Sequence, residues 1–95
     1  MMHFSSVEQI RLYSLSIGHH WFSPSTMRFF GSKVYPDLVG GRYFISSEKN
    51  FDSTQRLYTL RMVTDDGTID TVGKFQEFAS LRQARKALKA LEVAV

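Results

Sequence analysis

A chain of 95 residues with 43% hydrophobic and 22% charged side chains has the composition of one globular domain, with material for a single core. Eight Phe, four Tyr and one Trp argue against disorder, because burying them offsets the entropy of ordering the chain. No apolar run approaches the ~18 residues of a membrane-spanning helix, no charged start leads into an apolar core as in a secretory signal, and the lack of Cys excludes disulfides and thiolate zinc sites. The formal charge of +3 is unevenly spread. Within residues 80–95, Arg82, Arg85, Lys86 and Lys89 stand against Glu92 alone, whereas the rest of the chain holds eight basic and eight acidic groups.

In chain order, the first expected element is a helix over residues 6–17. Ser5 with Glu8, or Ser6 with Gln9, has the spacing at which two side chains satisfy free backbone donors at a helix start. Val7, Ile10, Ser14 and Ile17 recur near the helical period, and Gly18 is a stop signal. Leu12, Tyr13 and Leu15 spread further apolar surface round the cylinder. A short second helix is expected from Pro24 to Phe30. Ser23 caps it, Pro24 sits where its missing N–H is not needed, and Gly31 ends it. Met27 and Phe30 fall on one face and Arg28 on another. Residues 31–41, with Pro36-Asp37 and Gly40-Gly41, read as a loop with turns.

Three strands follow. Residues 42–46 are short and rich in β-formers. Residues 56–63 alternate, with Tyr58, Leu60 and Met62 on one side and Leu57, Thr59, Arg61 and Val63 on the other. Residues 68–75 carry Ile69, Val72 and Phe75. Asp65-Asp66-Gly67 joins the last two as a hairpin, because Gly supplies the positive φ such loops need. Residues 48–54 form a longer loop between the first two strands. The chain closes with a helix starting at Ser80, which has capping spacing to Gln83. Leu81, Ala84, Leu88, Leu91 and Val95 make one apolar stripe, while Arg82, Arg85, Lys86 and Lys89 span only about 100° of the opposite side. Residues 1–95 are thus expected to form a single α+β domain: an N-terminal helix, a short second helix, a three-stranded antiparallel sheet and a C-terminal helix packed on the sheet.

Several chemistries find no support in the residues. Adjacent His19 and His20 point in different directions and have no third ligand at recognisable spacing, so no metal is expected. Asp65, Asp66 and Asp70 lack the calcium-loop pattern and read as turn chemistry. Gly40-Gly41 has neither a Walker lysine nor a G-x-G-x-x-G frame, no G-x-S-x-G places a nucleophile, and a domain this small leaves little room for a catalytic pocket. No catalytic residue and no cofactor are expected.

Two family patterns touch these elements. The run from Tyr58 to Gly67, then Thr68 to Phe75, then Ser80 to Leu91, resembles the three-stranded, one-helix DNA-binding domains at the N-termini of phage integrases. It is also similar to the strand-strand-helix half of double-stranded-RNA-binding domains, with Arg82-Gln83-Ala84-Arg85 standing where those have a Lys-rich helix start. Residues Gly73 to Glu77 depart from that second pattern, which has a Gly- and Lys-rich approach to the helix. The segments Trp21 to Ser32, Gly41 to Glu48, Tyr58 to Arg61 and Gly67 to Gln76 resemble a set of small proteins from tailed phages and integrated elements, over residues 21–90. That resemblance implies a phage accessory protein acting in a bacterial cytoplasm, and it carries no catalytic residues. Proteins of this size and source include inhibitors of host defence, anti-CRISPR proteins among them.

The leading expectation is therefore a non-enzymatic accessory protein that binds and inhibits a bacterial host defence component. Arg28, Lys49 and Phe51 are its candidate protein-binding residues. The segment from Trp21 to Phe30 holds more aromatics than a short helix can bury, with Arg28 among them, and Phe51 is an apolar group at a loop tip beside Lys49. The alternative is a DNA- or RNA-binding module that uses the three-stranded sheet and the Arg82, Arg85, Lys86 and Lys89 face for phosphate contact. A membrane partner is not expected, and the oligomeric state is left open.

Overall fold

The computed structural model describes residues 3–49 and 55–94. Among these the elements run α1 (Val7–Ser16), α2 (Pro24–Phe29), β1 (Lys33–Val34), β2 (Tyr43–Lys49), β3 (Arg56–Val63), β4 (Ile69–Val72) and α3 (Leu81–Ala94).

Both long helices begin on the same device. Ser6 Oγ accepts from the Gln9 amide at 3.2 Å, and Gln9 Oε1 accepts from the Ser5 amide at 2.9 Å. At α3, Ser80 Oγ accepts from the Gln83 amide at 3.2 Å, and Gln83 Oε1 accepts from the Ala79 amide at 3.3 Å. Each pair satisfies two donors that the helix itself leaves free. The short α2 has Ser23 as N-cap and Pro24 in its first turn. It ends where Gly31 takes φ 59°, which lets the Gly31 amide reach Arg28 O at 3.2 Å and the Ser32 amide reach Met27 O at 2.8 Å. This double return bond satisfies carbonyls at the helix end, and a residue with a Cβ adopts it only under strain.

The four strands form one antiparallel sheet in the order β1-β2-β3-β4. The expected sheet had three. The added strand lies inside residues 31–41, which read as loop from their Pro and Gly content, and there Lys33 and Val34 pair with Ser47 and Ser46. Two residues are too few to show a period of 2, so the pattern alone does not reveal it. β2 runs on to Lys49, so Glu48 and Lys49 belong to a strand and not to the loop. β4 stops at Val72, and residues 73–75 turn away from the ladder. The β3–β4 turn is as expected, with Gly67 at φ 84°. A Cβ on Gly67 would also stand 2.2 Å from Ile17 Cδ1, so the turn is glycine for packing as well as for φ.

Alternation along the strands divides the core. On one side Ile45 and Leu60 are buried against Ala84 and Leu88 of α3, with Tyr58, Val72, Leu81 and Leu91 around them. This is the expected seat of the C-terminal helix, except that Met62 is only half-buried and stands outside this cluster. On the other side Phe44 and Val63 pack against Val7 and Ile10 of α1 and against Phe22. Ser14, within the expected α1 stripe, is buried too, and its hydroxyl donates to Gly67 O at 3.0 Å. That bond ties the end of α1 to the hairpin turn, and His19 Nε2 lies 2.9 Å from Asp66 O beside it.

Candidate binding surfaces

The outer face of α3 carries Arg82, Arg85, Lys86 and Lys89, all exposed, because the Ala84–Leu88 stripe faces the sheet. Arg85 is partly committed: its Nε and Nη2 donate to the Asp37 carboxylate at 3.1 and 3.3 Å. An exposed pair of this kind contributes little stability. Arg82, Lys86 and Lys89 make no ion pair among the described residues.

The strand register adds to this charge. Lys49 pairs with Arg56 and Lys33 with Ser47, and alternation from Ile45 and Leu60 places all three cations on the α3 side of the sheet. Arg56 is anchored: its Nη1 donates to Gly31 O at 2.9 Å, Ser47 O at 3.2 Å and Ser47 Oγ at 2.9 Å. Ser47 Oγ also lies 3.0 Å from the Tyr35 hydroxyl. Burial, with the Tyr35 phenol beside it, pushes the neighbouring Tyr58 phenol above its ordinary value, so Tyr58 stays a neutral hydroxyl. The Lys49 stem lies against Gly31, where a Cβ would stand 3.3 Å from Lys49 Cγ.

That contact joins the strand ends to α2. Phe29 is 74% and Phe30 43% exposed, their rings 4.9 Å apart edge to face. Arg28 is exposed on the same short helix. The segment from Trp21 to Phe30 thus divides: Phe22 is buried, Trp21 is half-buried against Phe22 and Phe44, and the last two phenylalanines face solvent. Of the three expected protein-binding residues, Lys49 rests its stem against Gly31, which ends the short helix that carries the exposed Arg28, and Phe51 lies outside the described residues.

A third feature was invisible in the sequence. On the α1 side of the sheet, Arg61 and Glu48 are buried, at 7% and 3% exposure, with Arg61 Nη2 3.4 Å from Glu48 Oε2. Arg61 Nε donates to Ser46 Oγ at 2.9 Å and Nη1 to Thr71 Oγ1 at 2.6 Å. Ser46 Oγ in turn donates to Glu48 Oε2 at 2.8 Å, and Thr59 Oγ1 to Glu48 Oε1 at 3.2 Å. The guanidinium carbon sits 5.3 Å from the Trp21 ring centroid and 5.4 Å from that of Phe75. Burial pushes the Arg61 pKa down, and the Glu48 carboxylate beside it works the other way. With its donors this well used, the network links β2, β3 and β4 across the α1 side of the sheet.

Between α1, α2 and β1 runs an open groove of about 550 Å³, floored by Val7, Phe22, Met27 and Val34 and edged by the Glu8–Arg11 pair. The hydrogen bond from Arg11 holds the Glu8 carboxyl below its usual value, so the rim is a closed ion pair over an apolar floor. Among the described residues no three His, Asp or Glu side chains converge as metal ligands, and no helix is long and apolar enough to cross a membrane.

By fold, this is a small α+β domain whose antiparallel sheet carries α3 on one side and α1 on the other, with Lys33, Lys49, Arg56 and the four α3 cations on the α3 side. The chain belongs to the family of unknown function DUF7447, whose profile matches residues 6–89. No curated protein and no solved structure shows significant similarity to it.

Proposed function

We propose that the protein is a non-enzymatic nucleic-acid-binding module whose contact surface is the α3 side of the molecule. The observation that carries this is the distribution of charge. Lys33, Lys49, Arg56, Arg82, Arg85, Lys86 and Lys89 lie on one side of the sheet, and only Arg85 of these is paired with a carboxylate among the described residues. Unpaired cations repel one another, and a phosphate backbone relieves that repulsion while releasing its counterions. The surface differs from the one the sequence suggested. Both faces of the sheet are covered at their centres, so the helix and the strand ends are the parts left to meet a ligand.

The test is binding of labelled duplex DNA and RNA across a salt series, for the wild type and for a variant with Arg82, Arg85, Lys86 and Lys89 changed to Gln. Affinity should fall steeply with salt in the wild type, and each lost phosphate contact should flatten the slope on duplex DNA by about 0.9. Wild-type binding that is absent at low salt, or untouched by the quadruple change, rejects this reading.

The second reading is a phage-type accessory protein that blocks a bacterial host defence component in the cytoplasm. Its support is the exposed Phe29–Phe30 pair on the helix that carries Arg28, which ends at Gly31 against the Lys49 stem, since aromatics and Arg dominate interface energetics. The charge of that corner restricts the partner to an acidic protein surface, and it disfavours a basic groove that itself holds nucleic acid. Alanine substitution of Phe29 and Arg28 should abolish inhibition without loss of thermal stability. Full inhibition by both variants rejects this reading.

A further inference from the structure

We infer that the corner formed by the end of α2, β1 and the facing ends of β2 and β3 is a single-strand site: Lys33, Lys49 and Arg56 take phosphates, and Phe29 and Phe30 stack on unpaired bases. This deepens the nucleic-acid reading above and rests on it.

Three features of this corner favour an anionic ligand with unstacked bases. Lys49 and Arg56 are direct cross-strand partners, and like charges opposed in this way are destabilising. Lys33 joins them through its pairing with Ser47, and no ion pair among the described residues neutralises any of the three. A fold gains nothing from this cluster unless an anion meets it. The second feature is preorganisation. One Arg56 nitrogen, held by three framework oxygens, fixes the guanidinium plane, while its other nitrogens are neither hydrogen-bonded among the described residues nor buried. A planar fork so held is suited to two phosphate oxygens.

The third feature is the aromatic pair. Phe29 is among the most exposed apolar side chains of the molecule, and it stands with Phe30 directly before Gly31, the residue whose carbonyl holds Arg56 and whose bare Cα carries the Lys49 stem. Rings beside a cationic track are what unpaired bases require, since every base has a face to stack and every linkage has a charge. A duplex has no use for them, because its bases are already stacked. An acidic protein segment would use the cations and would bury the rings less specifically.

Anisotropy titrations of a labelled 12-nucleotide single strand, its duplex and poly-glutamate separate these cases, using wild type, Phe29→Ala, Lys33→Gln/Lys49→Gln and the α3 quadruple variant. Arg56 is left intact because it also holds Gly31. The wild type should prefer the single strand. Phe29→Ala should weaken single-strand binding roughly 5- to 100-fold, the span of one lost stacking contact, and leave duplex binding unchanged. The lysine pair should weaken both and flatten the salt dependence. If Phe29→Ala and the lysine pair change nothing while the α3 variant loses binding, the corner is not the site and the nucleic-acid reading stands. If the wild type binds no nucleic acid at low salt, both fall. Poly-glutamate bound as tightly as the single strand overturns the inference in favour of an acidic protein partner.

Discussion

On the α3 side of the sheet, Ile45 and Leu60 meet Ala84 and Leu88, and the charges stay outside on the helix and strand ends. On the α1 side, Phe44 and Val63 meet Val7, Ile10 and Phe22, while Arg61 and Glu48 are buried as a pair with the Arg61 guanidinium between the rings of Trp21 and Phe75. One side therefore keeps its cations available and the other consumes one internally. The difference teaches where a ligand can be met. Arg61 donates to two hydroxyls and faces one carboxylate, so it has little left to offer; Arg56, five positions earlier on β3, keeps nitrogens without a hydrogen bond among the described residues.

The sharpest way to break this comparison is to remove one member of the buried pair. Arg61→Met leaves the Glu48 carboxylate buried without its cation and should destabilise the fold by about 3–5 kcal/mol in urea unfolding. Adding Glu48→Gln should recover part of that loss, because the stranded charge is then gone. A single variant within about 0.5 kcal/mol of wild type, as surface substitutions are, would mean the pair is not sealed. The apolar side has its counterpart in Leu88→Ala, expected to cost about 2–5 kcal/mol as a core truncation with a residual cavity. Unlike the Arg61 change, its effect should not depend on any charged partner.

A smaller effect tests the start of α3. Ser80→Ala removes the acceptor for the Gln83 amide and should cost about 1 kcal/mol, with the loss read from thermal or chemical unfolding. The smallest effect belongs to the hairpin turn. Hydrogen bonds from Thr64 and Thr68 hold the Asp66 carboxyl below its usual value. A carboxylate so depressed contributes stability that is present above its unfolded pKa and is lost as pH falls through its folded one. Asp66→Asn should therefore lower stability slightly at neutral pH, where the carboxylate contributes, and flatten its loss on acidification. An unchanged acid limb would remove Asp66 from the account of the turn.

The same two sides explain what could be read in advance. The α3 stripe, the β3 alternation, the three serine caps and the Asp65-Asp66-Gly67 turn rest on local spacing, and local spacing is present in the sequence. β1 is two residues held by pairing with β2, so its existence depends on a partner 12 or more residues away. The buried Arg61–Glu48 pair shows the same limit: on strands β3 and β2, each reads as an ordinary polar position until the register joins them. The α3 cations were visible as a helical face. The corner of Lys33, Lys49, Arg56 and Phe29 is assembled from four elements; the sequence points to Lys49 and to the aromatic segment that holds Phe29, and not to Lys33 or Arg56.

The most direct test of a ligand surface on the α3 side is amide chemical-shift mapping of the labelled protein, titrated at low salt with a short oligonucleotide. The expected result is perturbation at Phe29 to Lys33, Lys49, Arg56 and Arg82 to Lys89, with the α1 amides and those around Arg61 unmoved. Perturbation centred on α1 and the groove beside Glu8 and Arg11, or none at saturating oligonucleotide, would contradict it.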